Sequence, residues 1–144
     1  MEGSPAGVIY LVRNATRNRM VATQVRLAGS SRERRLGLRR HAHLSLEDGL
    51  FLTPCEAIHT FRMRFAIDVL FLTRSGEVCG LRHGLRPWRI AASWRACSTL
   101  ELAAGAIRQS ATEIGDLLEF LPNAGGASDL GAREKTGWKR SDTP

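Results

Sequence analysis

The sequence predicts a mainly β domain, a β-sandwich or jelly-roll/barrel-like fold with one short α-helix insertion. Three observations carry that expectation. Short apolar segments with strand-like alternation or β-branched content recur along residues 7–121. Gly and Pro breaks separate them. A helix signature stands out in one stretch, Ser30 to about Arg40.

The elements follow in order. Residues 7–13 are β-branched and aromatic, and predict a strand. The polar run Asn14 to Arg19 fits a turn. Met20 to Leu27 alternates, with Val21, Thr23, Val25 and Leu27 on one face, and forms the second arm of a hairpin. Gly29 breaks this strand. Ser30 and Glu33 then have the spacing of a capping box, in which hydroxyl and carboxylate satisfy opposite backbone N–H groups. The helix that follows carries Arg32, Arg34, Arg35, Arg39 and Arg40 against Glu33. Leu50 to Leu52 and Ile58 to Phe65 predict further strands, as does the nearly continuous apolar run Ile67 to Thr73. Arg74 to Glu77 is a turn and Val78 to Leu81 the returning arm. Pro87 interrupts the next segment. Ser98 to Ala103 and Leu117 to Leu121 predict the last strands. Residues 1–122 therefore form one β-rich domain. Residues 123–144 have lost all apolar periodicity and predict a disordered tail, in which Trp138 is unaccounted for.

Composition narrows the function classes. The 144 residues suffice for one domain with a single sizeable core. No apolar run is long enough to span a bilayer, and the start Met1-Glu2-Gly3-Ser4-Pro5 lacks the basic region of a signal peptide. A cytoplasmic location without membrane insertion is the resulting expectation. Cys55, Cys79 and Cys97 include no CxxC pair, which fits buried thiols in a reducing compartment. The formal charge is +7, and most of the excess lies in residues 1–47. An acidic protein partner on the stripe Arg32, Arg35 and Arg39 is one reading of that excess, and a solvated face is the other.

The chemistry-bearing residues concentrate between Cys55 and Leu72. On one continuous strand, Phe61, Met63, Phe65 and Ile67 would point into the core and Arg62, Arg64 and Asp68 away from it. Rings and charges then face opposite ways, which disfavours nucleic acid as a partner. Asp68 sits among apolar neighbours, where a carboxylate needs backbone donors or a site role. Glu101 lies between Leu100 and Leu102 and is expected to point outward, or to share a pocket with Asp68 as an acid–base pair. His41, His43, Cys55 and His59 have zinc-ligand chemistry without a recognised spacing, so no metal and no cofactor is expected.

The blocks Ser31-Arg32-Glu33-Arg34-Arg35-Leu36-Gly37-Leu38, Gly49-Leu50-Phe51, Ile58-His59-Thr60-Phe61-Arg62-Met63-Arg64-Phe65 and Ile67-Asp68-Val69-Leu70-Phe71-Leu72 occur in that order. So do Pro87-Trp88-Arg89, Leu100-Glu101-Leu102-Ala103-Ala104-Gly105 and Gly115-Asp116. This succession resembles the domain-of-unknown-function family 192, a bacterial and archaeal family, over about residues 8–121. Ala66 stands where that family usually has Pro. The resemblance implies a single small β-sandwich or jelly-roll-like domain and supplies no activity. It marks His59, Met63, Arg64, Asp68, Pro87, Glu101, Gly105, Gly115 and Asp116 as recurrent positions. It also implies an association with pilus or secretion genes in some members.

Three functional readings result. The first is a non-enzymatic binding or accessory domain for a small ligand, with carbohydrate suggested by fold analogy. Its site is placed at His59, Met63, Arg64, Asp68 and Glu101, with Trp88 as a stacking wall. The second is a sugar-acting enzyme using the Asp68/Glu101 carboxylate pair. The third is a protein- or nucleic-acid-docking domain, a pilus or secretion accessory, that uses the basic helix over residues 30–40.

Overall fold

The computed structural model describes residues 8–28 and 43–124. Nine strands and one short helix run in the order β1 (Ile9–Asn14), β2 (Arg19–Ala28), β3 (Asp48–Leu52), β4 (Ala57–His59), β5 (Ile67–Leu72), β6 (Val78–Leu85), β7 (Ile90–Ala92), β8 (Ser98–Ala103), α1 (Ala106–Ser110) and β9 (Leu118–Pro122) among the described residues. Seven strands form one sheet in the order β6-β5-β8-β3-β2-β1-β9, curled into a half-barrel. All its pairings are antiparallel except β2 with β3, which run parallel. Strands β4 and β7 form a separate two-stranded sheet.

The curl brings the edge strands together at one end. Glu77 pairs with Leu117, and the Leu118 N–H donates to the Gly76 carbonyl. Gly76 has φ +94, and a Cβ there would lie 2.9 Å from the Leu118 carbonyl oxygen. A side chain at that position would force the seam apart.

Two apolar clusters lie on opposite faces of the large sheet. Inside the curl, Val12, Val25, Leu70, Leu72, Leu100, Leu102 and Ile107 pack together. On the other face, Val69 and Phe71 pack with Ile58, Met63 and Ala91, most of which come from the small sheet and its flanks. Strands β5 and β8 are consequently buried at every residue. That double burial is why β5 reads as a continuous apolar run rather than an alternation.

The mainly β architecture agrees with the sequence. The expected helix over residues 30–40 lies outside the described residues, as does 125–144 of the expected tail. The described helix α1 was not foreseen. Its first residue follows Gly105, at φ 99, and glycine has no side chain to cap the turn. Asp68 on β5 supplies the missing acceptor: its Oδ2 receives the Gly105 and Ile107 N–H groups. The segment 58–65 is also corrected. It is not one strand, because β4 ends at His59 and the chain turns through Phe61 and Arg62.

Candidate functional site

Thr60, completely buried, organises that turn. Its hydroxyl donates to the Arg86 carbonyl at 2.6 Å and accepts the Arg89 N–H at 2.9 Å. Its backbone N–H donates to the Arg89 carbonyl, and its own carbonyl accepts from Met63 and Trp88. One residue thus clamps the 60–63 turn to the 86–89 turn. Arg62 and Trp88 emerge from these turns at φ 67 and φ 65, in the left-handed region. Neither residue has the conformational freedom of glycine, and such backbone strain clusters at functional sites.

The clamped turns gather three rings on the surface. His59 stacks on Phe61 with centroids 4.5 Å apart, and Phe61 stacks on Trp88 at 5.5 Å, each pair inclined by 24°. The Phe61 N–H donates to His59 Nδ1, which fixes the imidazole beside the turn. Trp88 is 61% exposed. The outward face of the small sheet continues the surface through Ile90, paired with His59, to Ala92. Trp94, 89% exposed, stands beyond the other end of that sheet.

Arginines are close neighbours of these rings in the sequence. Arg62, Arg64, Arg86, Arg89 and Arg95 are exposed, and Glu56 is the one acid within residues 55–65 and 86–97. None of the five arginines has an acidic partner among the described residues. Arg89 donates to the Pro87 and Trp88 carbonyls, which holds its guanidinium against its own turn.

Of the residues expected at a single site, the fold brings together His59 and Trp88, with Arg64 exposed on the chain that leaves the turn. Met63 is buried beneath them in the outer cluster. Phe61 was assigned to the core and is instead the middle ring of the surface stack. The signal that could have revealed it is the tight succession His59-Thr60-Phe61-Arg62, in which a turn, not an alternation, puts rings and charge on one side.

Asp68 and Glu101 lie elsewhere. Asp68 is buried and accepts three backbone N–H groups, from Gly84 at 2.8 Å, Gly105 at 3.1 Å and Ile107 at 2.9 Å. The register pairs Asp68 with Leu102 and Val69 with Glu101. Residues opposite one another share a face and successive residues alternate, so the two carboxylates project from opposite faces of the sheet. They cannot act as an acid–base pair. Glu101 does not point outward as expected. It is 96% buried, and its Oε2 has no hydrogen-bond partner among the described residues. Burial pushes its carboxyl up to about 8 from the ordinary 4.5, so it stays protonated at neutral pH.

Asp116 also has a local structural role. Its Oδ2 accepts from Asn14 Nδ2, Arg17 Nε and the Glu113 N–H. Burial alone would raise its carboxyl, but the bonds from Arg17, Asn14 and Glu113 outweigh that and hold it below the ordinary value. The network ties the β1–β2 turn to the segment before β9.

Of the candidate metal ligands, His41 lies outside the described residues, His43 is exposed, and Cys55 Sγ donates to the Ala57 carbonyl. No three His, Cys, Asp or Glu side chains converge among the described residues. No described helix is long and apolar enough to cross a membrane. The stripe Arg32, Arg35 and Arg39 lies outside the described residues.

Comparison with known proteins matches residues 12–120 to the pattern of DUF192, described as an Uncharacterized ACR. A UPF0127 protein of Pyrococcus furiosus is 33% identical over 115 residues, covering 74% of this chain and 95% of that protein. A solved structure of a candidate transcription regulator from Sinorhizobium meliloti 1021 superposes with a TM-score of 0.71 at 23% identity, covering 83% of this chain and 98% of that one. A protein of unknown function from Novosphingobium aromaticivorans superposes with a TM-score of 0.68 at 17% identity, covering 82% and 91%. At these identities the two solved structures speak to the fold alone.

Proposed function

Because the chain belongs to the domain-of-unknown-function family 192, whose description carries no activity, its function has to be read from its own surface, and we propose a non-enzymatic binding domain that holds a ring-bearing ligand against the His59–Phe61–Trp88 stack. The carrying observation is that stack. Three rings, His59 and Trp88 exposed and Phe61 half-buried between them, are gathered on turns whose backbone is strained at Arg62 and Trp88 and pinned by a buried hydroxyl. Rings held rigid before a ligand arrives lose little conformational freedom on binding. A folding role would have put the rings inside.

The separation of Asp68 from Glu101 removes the basis of the enzymatic alternative. A pyranose ring presents an apolar face that suits a stack, so carbohydrate remains an occupant within this reading. Titration of the protein with neutral oligosaccharides and with nucleotides, followed by tryptophan fluorescence, tests it. A saturable change that disappears in Trp88→Ala is the expected result. Saturable binding that leaves Trp88→Ala and Phe61→Ala as competent as wild type would sink it.

A further inference from the structure

We infer that the ligand of this surface is single-stranded nucleic acid, with bases stacked on the aromatic rings and the phosphate backbone lying along the arginines. The inference rests on the stacking reading above and adds the chemical class of the occupant.

Three features select that class. First, Arg62, Arg64, Arg86, Arg89 and Arg95 are exposed on the segments that carry the rings, with no acidic partner among the described residues, and Glu56 is the one acid in the two segments. A neutral sugar would leave these charges unused, whereas a phosphate backbone uses each of them. Second, the rings are nearly parallel and lie at successive spacings of 4.5 and 5.5 Å. A parallel series accepts further flat rings at its open end, as bases of an unpaired strand require. Bases in a duplex are already stacked on one another and have no free face. Third, exposed apolar groups extend along the small sheet from Trp88 through Ile90, 70% exposed, to Trp94. An exposed ring thus precedes β7 and another follows it, a spacing suited to a chain more than to a compact ligand.

The same charges argue against a second copy of this chain as the occupant. A two-fold contact over this face would oppose the arginines of both copies. The alternation that set rings and charges on opposite faces of one strand does not hold, because the chain turns at Phe61 and Arg62.

Fluorescence anisotropy of a labelled single-stranded oligodeoxynucleotide of about 12 residues tests the inference, on the full chain at about 50 and 200 mM salt. The expected result is binding at least about fivefold tighter than to the same sequence as duplex. Trp88→Ala should weaken it at least about fivefold, the scale of losing one base stack. Trp94→Ala, at the most exposed ring, should weaken it in the same direction and guards against misfolding of the first variant. The Arg64→Gln/Arg95→Gln pair should flatten the salt dependence by about one unit of slope. Equal affinity for duplex, or single-strand binding that both tryptophan variants retain, overturns the inference. If the oligonucleotide fails to bind while a neutral oligosaccharide changes the fluorescence of Trp88, nucleic acid is excluded and the stacking reading stands. If neither titrant has an effect, both are overturned.

Discussion

The centre of the large sheet and the outer face of the small one handle unusual residues in opposite ways. On β5, the out-of-place residue is Asp68, a carboxylate in an apolar strand, and three backbone N–H groups satisfy it from inside the fold. Around β4 and β7, the out-of-place features are exposed rings, left-handed backbone at Arg62 and Trp88, and arginines without acids. Nothing within the described fold accounts for these by stability. An interior oddity that finds partners is architecture; a surface oddity that finds none points to something outside the molecule.

The sharpest way to break this contrast is Asp68→Ala. Removing the carboxylate orphans the donors at Gly84, Gly105 and Ile107, and the expected loss is about 3–5 kcal/mol. A urea titration measures it. A loss under about 1 kcal/mol would show that water replaces the carboxylate and that Asp68 is free for another role.

Glu101→Gln comes next and carries a pH signature. In the unfolded chain the carboxyl ionises near 4.5, and in the folded protein only near 8. Between those values the folded state holds the extra proton, so the Glu101 contribution to stability is intact below about pH 4.5 and is lost as the pH rises towards 8. Glutamine keeps the size without the ionisation. The variant is expected to be more stable than wild type at pH 8 by on the order of 4 kcal/mol, with the two curves converging near pH 4.5. Parallel curves would mean that Glu101 finds a partner when it ionises.

The smallest effect is expected at Arg62→Gly, on the other side of the comparison. Glycine adopts φ 67 without strain, so thermal unfolding should show a gain of about 1 kcal/mol. A loss instead would mean that the Arg62 side chain holds the turn, and that the surface is less separate from the fold than its exposure implies.

The parts of the structure that were legible in the sequence are those governed by strand period and local turns. The hairpin of β1 and β2, the doubly buried β5, the turn before β6 and the strand β8 follow from residues close in sequence. The short helix α1 was not legible because its N-terminal acceptor, Asp68, lies on β5, 39 residues before Ile107. Glu101 was misjudged because alternation says which residues share a face but not whether that face is covered. Here the small sheet and its flanks contribute to an apolar cluster on it. Of the site, His59 and Trp88 were named from the sequence, but Phe61 was hidden by an alternation that fails at one backbone turn. That turn is fixed by Thr60, whose partners are 26 and 29 residues away.

Thr60 also divides the molecule into what can vary and what cannot. Its single hydroxyl uses donor and acceptor capacity at once, toward Arg86 and Arg89, while its backbone serves Met63 and Trp88. The side chains that radiate from the two turns take no part in these bonds; that of Arg89 donates instead to the Pro87 and Trp88 carbonyls, and that of His59 accepts the Phe61 N–H. Rings and charges there sit as fittings on a fixed bracket. A substitution at Trp88 or Arg64 would therefore alter what the surface presents while the bracket beneath it stays in place.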